Sequence, residues 1–262
     1  MAGRAPLSRP LAIVTGASSG IGEAFCRLLA GDHDLVLVAR RRERLEALAK
    51  ELAGEGRSHR VVALDLSLPG GADALLAEVP ACDLLVNNAG FGLLSSLASA
   101  DPARVAQLLD LNVRTLTLLS RAYLPGMLAR RSGGLLQVAS IGGFLPTPGM
   151  AAYTASKAYV VSFSEALHEE LRGSGVRVSC LCPGPTESEF ASTAGVELAG
   201  FRGLDRLVFQ RAEPVARAGL AGVRRNRAVV VPGLANTLTL LLAALTPNRL
   251  LVWLAGKVMA PR

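Results

Sequence analysis

Two residue types that would point to particular functions, aromatic residues and histidine, are scarce in this chain. Aromatic residues make up 4% of the 262 residues, too few to provide the stacking platforms of a nucleic-acid-binding protein. The three histidines are widely separated, and no cluster of candidate ligands predicts a metal site. The net charge of +7 comes from scattered arginines, so we attribute it to a basic surface and expect no nucleic-acid partner.

Cysteine is also scarce, and the four cysteines have neither disulfide-like nor zinc-like spacing. They lie at positions 26, 82, 180 and 182, inside predicted strands and helices, as buried thiols do. The first ten residues, MAGRAPLSRP, lead directly into a predicted strand without the apolar stretch of a signal peptide. Both features favour a reducing, cytoplasmic compartment.

Long apolar runs are missing as well, although half of the residues are hydrophobic. The most apolar segment, LANTLTLLLAALTPNRLLVWLAGKVM, is interrupted by Pro247, Asn248 and Arg249. Neither piece reaches the ~20 residues that cross a bilayer. We predict that residues 233–262 form a helical extension that packs on the domain or on a partner subunit. An anchor lying in the surface of a membrane is the alternative.

The chain does have a regular alternation of short apolar runs and longer helical patterns. The runs are continuous rather than alternating, as in strands that are buried on both faces of a parallel sheet. We therefore predict a single α/β domain over residues 1–262, a doubly wound parallel sheet of the Rossmann type with helices on both faces. The seven predicted strands are 11–15, 35–39, 60–64, 83–87, 135–140, 177–182 and 228–231.

The first predicted strand ends in a glycine-rich turn, TGASSGIG, and a helical pattern follows. Its three glycines allow a tight turn and a close approach to a ligand, and a helix N-terminus attracts phosphate. Ser18 and Ser19 add hydroxyl groups that can bind phosphate or ribose oxygens. The turn therefore predicts a dinucleotide site, although its Gly-x-x-x-Gly-x-Gly spacing differs from the Gly-x-Gly-x-x-Gly of many such sites.

The second predicted strand indicates which dinucleotide binds. An acidic residue at its end would accept hydrogen bonds from the ribose hydroxyls of NAD. Ala39 stands there instead, and Arg40, Arg41 and Arg42 follow it. Guanidinium groups can hold a 2′-phosphate, so we predict NADP(H), with Arg40 as the leading contact and Arg41 as the second.

Lysine is rare in this chain, yet Lys157 follows Tyr153 by four residues in the sequence YTASK. In a helix, that spacing places both side chains on one face. A nearby ammonium group favours phenolate and lowers the pKa of a tyrosine from its usual value of about 10. We therefore expect Tyr153 to exchange a proton near neutral pH, with Lys157 lowering its pKa.

Together these motifs resemble the classical short-chain dehydrogenase/reductase superfamily over most of the chain, residues 11–231. The resemblance is carried by TGASSGIG, Asp65-Leu66, NNAG at 87–90, Asn112, Ser140, YTASK at 153–157 and PGPT at 183–186, in the family's order. It implies an oxidoreductase that transfers a hydride between NADP(H) and a carbonyl or hydroxyl group. It also implies a homodimer or homotetramer formed through the long helices.

The resemblance also implies the roles of individual residues. Ser140 would hold the substrate oxygen, Tyr153 would be the general acid/base and Lys157 would bind the nicotinamide ribose. Asn112, on a long helix between the fourth and fifth strands, would position a water that leads to Lys157. The residues that would bind the cofactor are Gly16, Ser18, Ser19, Gly20, Ile21, Gly22, Arg40, Arg41, Asp65, Leu66, Asn88, Ala89, Gly90, Tyr153, Lys157, Pro183, Gly184 and Thr186.

The segment after PGPT corresponds to the family's substrate lid, here residues 185–214. Apolar side chains of the lid and of the segment before Tyr153 predict an apolar ketone, aldehyde, 3-oxoacyl or steroid-like substrate. Two other classes of function remain open, namely a redox-silent NADP-binding sensor and a membrane-associated scaffold that uses the C-terminal helices. The apolar side chains in question are Phe190, Val196, Leu198, Phe201, Leu204 and Phe209 in the lid and Phe144, Leu145 and Met150 before the tyrosine.

Overall fold

A computed structural model of the protein describes residues 9–54, 57–190 and 209–259. Its strands are β1 Leu11–Thr15, β2 Asp34–Ala39, β3 His59–Ala63, β4 Leu84–Asn87, β5 Gly133–Val138, β6 Val176–Leu181 and β7 Val229–Val230. They form one sheet in the order β3-β2-β1-β4-β5-β6-β7, and every neighbouring pair is parallel. The predicted doubly wound sheet is confirmed, because continuous apolar runs mark strands that are buried on both faces.

Helices cover both faces of the sheet. In the described residues they are α1 Gly20–Leu29, α2 Arg42–Leu52, α3 Gly71–Glu78, α4 Pro102–Leu109, α5 Leu116–Ala129, α6 Ala151–Glu170, α7 Ala212–Arg224, α8 Leu234–Leu245 and α9 Asn248–Met259. The core against α1, α2 and α7 contains Phe25, Leu45 and Val215. The core against α3, α5 and α6 contains Leu75 and Met127. Burying each of these side chains contributes about 1.5–3 kcal/mol, so the two cores hold the helices against the sheet.

The crevice for a ligand opens where the sheet order reverses, between β1 and β4. From β1 the chain runs outward to β2, and from β4 it runs the other way to β5. Thr15 joins the ends of the two strands, since its hydroxyl donates to Val86 O (3.2 Å) and accepts from the amides of Asn88 and Ala89 (3.0 Å each). This buried hydroxyl therefore fixes the floor of the crevice.

One helix predicted between the fourth and fifth strands differs in detail. A π-helical turn at Asp110–Thr115 joins α4 to α5. A π-helical turn holds an extra residue and changes which side chains face inward. Here it directs Asn112 into the protein, where Nδ2 donates to Phe91 O (3.1 Å) and Ser156 Oγ (3.0 Å).

Ser140 was predicted to be the last residue of the fifth strand, but it lies two residues beyond β5. Its hydroxyl accepts a hydrogen bond from Gly142 N (3.0 Å) and caps a 3₁₀ turn at Ile141–Gly143. Local bonding of a serine side chain to the backbone competes with strand pairing, which explains the early end of the strand.

The described part of the C-terminal extension contains the helices α8 and α9. However, none of residues 234–257 is buried, so this extension contributes nothing to the core of the domain. It touches the domain at Asn236, whose Nδ2 donates to Gln210 Oε1 (3.1 Å), and at Gly256, which lies beside Pro148. Within the three described stretches, every helix is too short or too polar to cross a membrane.

Candidate active site

A cleft of about 730 Å³ opens at the carboxyl ends of the strands. It is lined by every predicted catalytic and cofactor residue except Gly22 and Asn112. Gly22 lies under the glycine-rich turn, where a Cβ would collide with Gly16 O. Asn112 lies behind Gly90, where a Cβ would be 2.9 Å from Asn112 Oδ1. The motifs of the sequence thus converge on one cleft, while the binding roles of their residues stay predictions.

The glycine-rich turn fits an anionic group such as a diphosphate. Gly16 (φ +69°) and Gly20 (φ +56°) adopt the left-handed backbone conformation that favours glycine. The N-cap of α1, Ser19, makes no side-chain bond to the first turn of that helix. The first amides of α1 therefore lack a side-chain partner at the edge of the cleft, as phosphate-binding helix ends do.

The other end of the cleft carries arginines after β2. The Arg41 guanidinium donates to Ser18 Oγ (3.0 Å) and Ser19 Oγ (3.2 Å). The Arg40 side chain is 68% exposed and lies 3.9 Å from the Asp65 carboxylate. Asp65 is itself held by Ser67, whose amide (2.9 Å) and hydroxyl (2.6 Å) donate to Oδ1. Two guanidinium groups thus face the part of the cleft where a 2′-phosphate is predicted.

Glu189 is a residue of this region that the sequence did not reveal. Its carboxylate pairs with Arg41 (2.7 Å) and with Arg44 (2.5 Å). The hydrogen bonds from these two arginines lower its pKa, Arg44 having the larger effect. The only signal in the sequence is its position three residues after Thr186. No local spacing indicates the ion pair, because Arg44 and Glu189 are 145 residues apart.

The catalytic candidates meet at the opposite end of the cleft. Tyr153 and Lys157 both lie on α6 and are 7% and 5% exposed. Lys157 Nζ donates to Val138 O (2.8 Å) and lies 6.0 Å from the centre of the Tyr153 ring. The Phe190 ring packs against the tyrosine at 5.3 Å between ring centres. The predicted pair therefore shares one buried face of α6, beside Ser140.

The pKa values of this pair are shifted by burial. Burial raises the pKa of Tyr153 to about 12, against a smaller lowering by its hydrogen bond with Ser140. Burial lowers the pKa of Lys157 to about 8, against smaller opposite effects of Cys180 and Cys182. The expectation of a tyrosine pKa below its usual value is therefore wrong for the protein in this structure, because desolvation raises that pKa and the lowering comes from Ser140 rather than from Lys157.

Replacing Lys157 with methionine is expected to change how stability depends on pH. The pKa of Lys157 in the folded protein is about 8, below its usual value of 10.5. The lysine therefore contributes stability that is complete above the unfolded pKa and is lost as the pH falls through the folded pKa. As the pH rises from the folded to the unfolded pKa, the free energy of unfolding of the wild type should increase by on the order of 3 kcal/mol relative to that of Lys157→Met.

Denaturant unfolding of both proteins at several pH values between about 7 and 10 measures this difference. The exposed Lys50 at the end of α2 provides a matched control, because Lys50→Met removes an ammonium group that is not buried. Parallel pH profiles for wild type and Lys157→Met would contradict the depressed pKa.

The two other tyrosines have different surroundings. Tyr159 is 39% exposed, and its hydroxyl lies 2.9 Å from Thr117 Oγ1 on α5. Tyr123 is buried and donates to Val79 O (2.7 Å). The prediction that Tyr159 points away from the reaction centre is confirmed, and Tyr153 alone of the three lines the cleft.

The end of the cleft around Tyr153, where the substrate is predicted to bind, is largely apolar. Its apolar lining includes Leu145 and Met150, as predicted, and also Phe91, which was not predicted. The Arg104 guanidinium, also not predicted, lies 4.5 Å above the Phe91 ring. Phe144 was expected near the tyrosine but is 38% exposed and does not line the cleft. Phe190 and Phe209 of the lid do line it, whereas Val196, Leu198, Phe201 and Leu204 lie outside the described residues.

Comparison with known proteins decides the family. The family model described as short chain dehydrogenase matches residues 10–197, well over half of the chain. The chain belongs to the short-chain dehydrogenases. As a short-chain dehydrogenase it is an oxidoreductase, and the predicted family is confirmed.

Among curated short-chain dehydrogenases, one from Pseudocercospora fijiensis is 39% identical over 189 residues, which are 69% of this chain and 61% of that protein. A sulfoacetaldehyde reductase from Chromohalobacter salexigens is 41% identical over 184 residues, 68% of this chain and 72% of that enzyme. The match thus spans less than two thirds of the first of these relatives and somewhat more of the second.

Two solved structures of short-chain dehydrogenases superimpose on most of the chain. One, from Sphingobium yanoikuyae in complex with NADPH, has a TM-score of 0.80 and 32% identity, and covers 90% of this chain and 93% of its own. Another, from Burkholderia phymatum in complex with NAD, has a TM-score of 0.78 and 29% identity, and covers 90% of this chain and 92% of its own. Nicotinamide cofactors of both kinds therefore occur among similar structures.

Metal binding has no support from the described part of the chain. Within residues 9–54, 57–190 and 209–259, no three histidine, cysteine or acidic side chains are grouped to hold an ion. All four cysteines are buried and free, although Cys180 Sγ and Cys182 Sγ lie 3.7 Å apart.

Proposed function

We propose that this protein is an NADP(H)-dependent reductase of apolar carbonyl compounds, with Tyr153 as the general acid/base. The main support is the arrangement of one cleft. A buried phenol, a hydroxyl and a lysine lie at one end, at Tyr153, Ser140 and Lys157, and two guanidinium groups lie at the other, at Arg40 and Arg41.

The choice of NADP(H) over NAD(H) is supported by charge. Ala39 ends β2 in place of a carboxylate, so no acidic side chain stands there to bind the ribose hydroxyls of NAD. Arg40 and Arg41 can bind a phosphate through planar, charged hydrogen bonds. The NADPH complex of the Sphingobium yanoikuyae protein agrees with this choice, and the NAD complex of the Burkholderia phymatum protein makes it a point to test.

Reduction of a carbonyl group requires a hydride on its carbon and a proton on its oxygen. The reduced nicotinamide, when bound, supplies the hydride. With a pKa of about 12, the Tyr153 hydroxyl is protonated near neutral pH and can donate its proton to the oxygen. The Ser140 hydroxyl can hold the same oxygen, so we expect the reductive direction to be favoured near neutral pH.

The supply of the next proton would pass through Lys157 and Asn112. A Cβ at Gly90 would lie 2.9 Å from Asn112 Oδ1 and 3.4 Å from Lys157 Nζ, so both polar atoms approach the same point. Ser156 holds the asparagine amide group in place (3.0 Å). The approach of these two atoms supports the positioning role proposed for Asn112, in which a water held between them would relay protons to Tyr153.

The apolar nature of the substrate is supported by the side chains around Tyr153. Phe190 contacts the tyrosine ring, and Leu145, Met150 and Phe209 line the same part of the cleft. Excluding water there strengthens the hydrogen bonds to the substrate oxygen. Arg104 is a cation near this end, and it is the feature that a small anionic aldehyde would use.

The proposal is tested by measuring NADPH oxidation with a panel of carbonyl compounds. We expect bulky apolar ketones and aldehydes to have a higher kcat/KM than small charged aldehydes, because they fill the apolar lining. Sulfoacetaldehyde serves as the charged comparison, since a relative carries that activity in its name. Activity confined to sulfoacetaldehyde and similar anions would contradict the substrate class but leave the oxidoreductase chemistry standing.

A further inference from the structure

The two C-terminal helices present an unusual apolar surface. On α8, the exposed apolar residues of this surface follow one another at intervals of four, three, one and three residues. They therefore lie along one side of that helix. We call this surface the C-terminal apolar face, and its side chains are between 45% and 85% exposed. It consists of Leu234, Leu238, Leu241, Leu242 and Leu245 on α8 and Leu250, Trp253 and Leu254 on α9.

Such a face is uncommon on a protein that is surrounded only by water. Scattered exposed leucines are normal, but large contiguous apolar patches mark surfaces that bind something. Here eight large apolar side chains are exposed within two consecutive helices, and none of residues 234–257 is buried. The face is therefore suited to a partner that is itself apolar.

The distribution of charge indicates the nature of that partner. Residues 214–262 contain seven of the 28 basic residues and none of the 21 acidic residues, so residues 1–213 carry 21 of each and are neutral. Arginines occur throughout the chain, but the net charge of +7 arises in its last part because acidic residues are lacking there. The apolar face itself is accompanied by Arg249 and Lys257 and by no acidic residue.

This combination favours an anionic lipid surface over a second copy of the chain. Two copies that meet face to face would bring like charges together, whereas anionic headgroups would neutralise them. Trp253 lies under the Lys257 ammonium at 4.3 Å. A tryptophan with a neighbouring lysine suits the boundary between headgroups and acyl chains, because the ring enters the apolar layer and the ammonium stays among the headgroups.

The position of the helices connects this face to the cleft. Asn236, near the start of α8, packs closely against Gly184, a residue that lines the cleft. A Cβ on that glycine would collide with the Asn236 side chain. Gly256 on α9 lies beside Pro148. In the sequence, Pro148 stands between Thr147 and Met150, and these two residues line the substrate end of the cleft. A surface bound by α8 and α9 would therefore adjoin the end of the cleft that is lined by apolar side chains.

We propose that the C-terminal apolar face docks the protein on an anionic lipid bilayer, with α8 and α9 lying in the surface of the membrane without crossing it. The leucines and Trp253 enter the outer part of the apolar layer. Arg249 and Lys257 contact the headgroups. The bilayer then lies next to the substrate end of the cleft.

Trp253 is the only tryptophan in the chain, so its fluorescence reports on α9 alone. The test mixes the full-length protein with phosphatidylcholine vesicles that contain or lack phosphatidylglycerol. We expect flotation with the anionic vesicles, a blue shift of the Trp253 emission and quenching by brominated acyl chains. Binding to neutral vesicles should be at least about fivefold weaker, since each cation near an anionic surface adds to the affinity.

Two matched variants separate docking from general surface changes. Leu242 and Leu97 are 66% and 65% exposed, and only Leu242 belongs to the apolar face. Leu242→Glu should weaken vesicle binding at least about tenfold, whereas Leu97→Glu should leave it unchanged. NADPH binding by both variants verifies that they remain folded.

Three results would overturn the proposal. One is an absence of flotation with anionic vesicles. Another is equal loss of binding in Leu97→Glu and Leu242→Glu. A third is a Trp253 blue shift that depends on protein concentration without lipid and resists brominated lipid, because that result assigns the face to a second copy of the chain. None of these results depends on catalysis, so they do not affect the proposed reaction.

Discussion

Replacing Tyr153 with phenylalanine is expected to lower kcat/KM for carbonyl reduction with NADPH by about 10²- to 10⁴-fold, the usual contribution of a positioned general acid. The substitution removes one hydroxyl from a buried ring that packs against Phe190 and leaves the shape of the site intact. NADPH affinity, measured by the fluorescence of the bound cofactor, should change little. The loss should therefore be confined to the chemical step.

Tyr159→Phe is the matched control, since it removes the same hydroxyl group from a tyrosine six residues further along α6. Its hydroxyl contacts Thr117 at a partly exposed position, outside the cleft. We expect this variant to retain wild-type kcat/KM. If Tyr153→Phe reduced carbonyls as fast as the wild type, Tyr153 would not be the general acid, and another group would have to protonate the substrate oxygen.

The Arg40→Asp variant is expected to lower the ratio of kcat/KM for NADPH over NADH by at least about a hundredfold. A charged hydrogen bond to the phosphate is worth about 1.5–3 kcal/mol, and the new carboxylate would also repel the phosphate. The same carboxylate could accept hydrogen bonds from the ribose hydroxyls of NADH. Steady-state kinetics with both cofactors and one carbonyl substrate measures the change.

Arg42→Asp makes the same change of charge two residues away. Arg42 begins α2, pairs with Glu46 (3.6 Å) and does not line the cleft. Because exposed charges at a distance are screened by salt, we expect this variant to alter the cofactor ratio by less than about threefold. Equal shifts in Arg40→Asp and Arg42→Asp would point to a general charge effect and would remove the specific role of Arg40.

The framework of the site could be predicted because it depends on local patterns. Each apolar run ends in turn residues, and parallel strands place those ends at one edge of the sheet. The turn after β1, the NNAG sequence after β4 and the PGPT sequence after β6 therefore had to meet. Tyr153 and Lys157 followed from the helical spacing that places them on one face.

Features that depend on the whole fold could not be predicted in the same way. The pKa of Tyr153 depends on how much water the surrounding chain excludes, and the sequence indicated only the neighbouring charge. The pairing of Glu189 with Arg41 and Arg44 joins distant segments, so no spacing revealed it. The concentration of net charge after residue 213 was readable from the sequence. Its role became apparent only when none of residues 234–257 proved to be buried.

The π-helical turn at Asp110–Thr115 determines how α4 and α5 are rotated relative to each other about the helix axis. Residues beyond it, such as Leu119, fill the core, while Asn112 within it holds Phe91 and Ser156. Deleting one residue from the turn would allow regular α-helical hydrogen bonds. However, the deletion would rotate α4 by about 100° relative to α5. Either the core or the asparagine would then lose its neighbours. The irregular turn thus fixes the length of the helical segment from Pro102 to Ala129 that joins the site to the core.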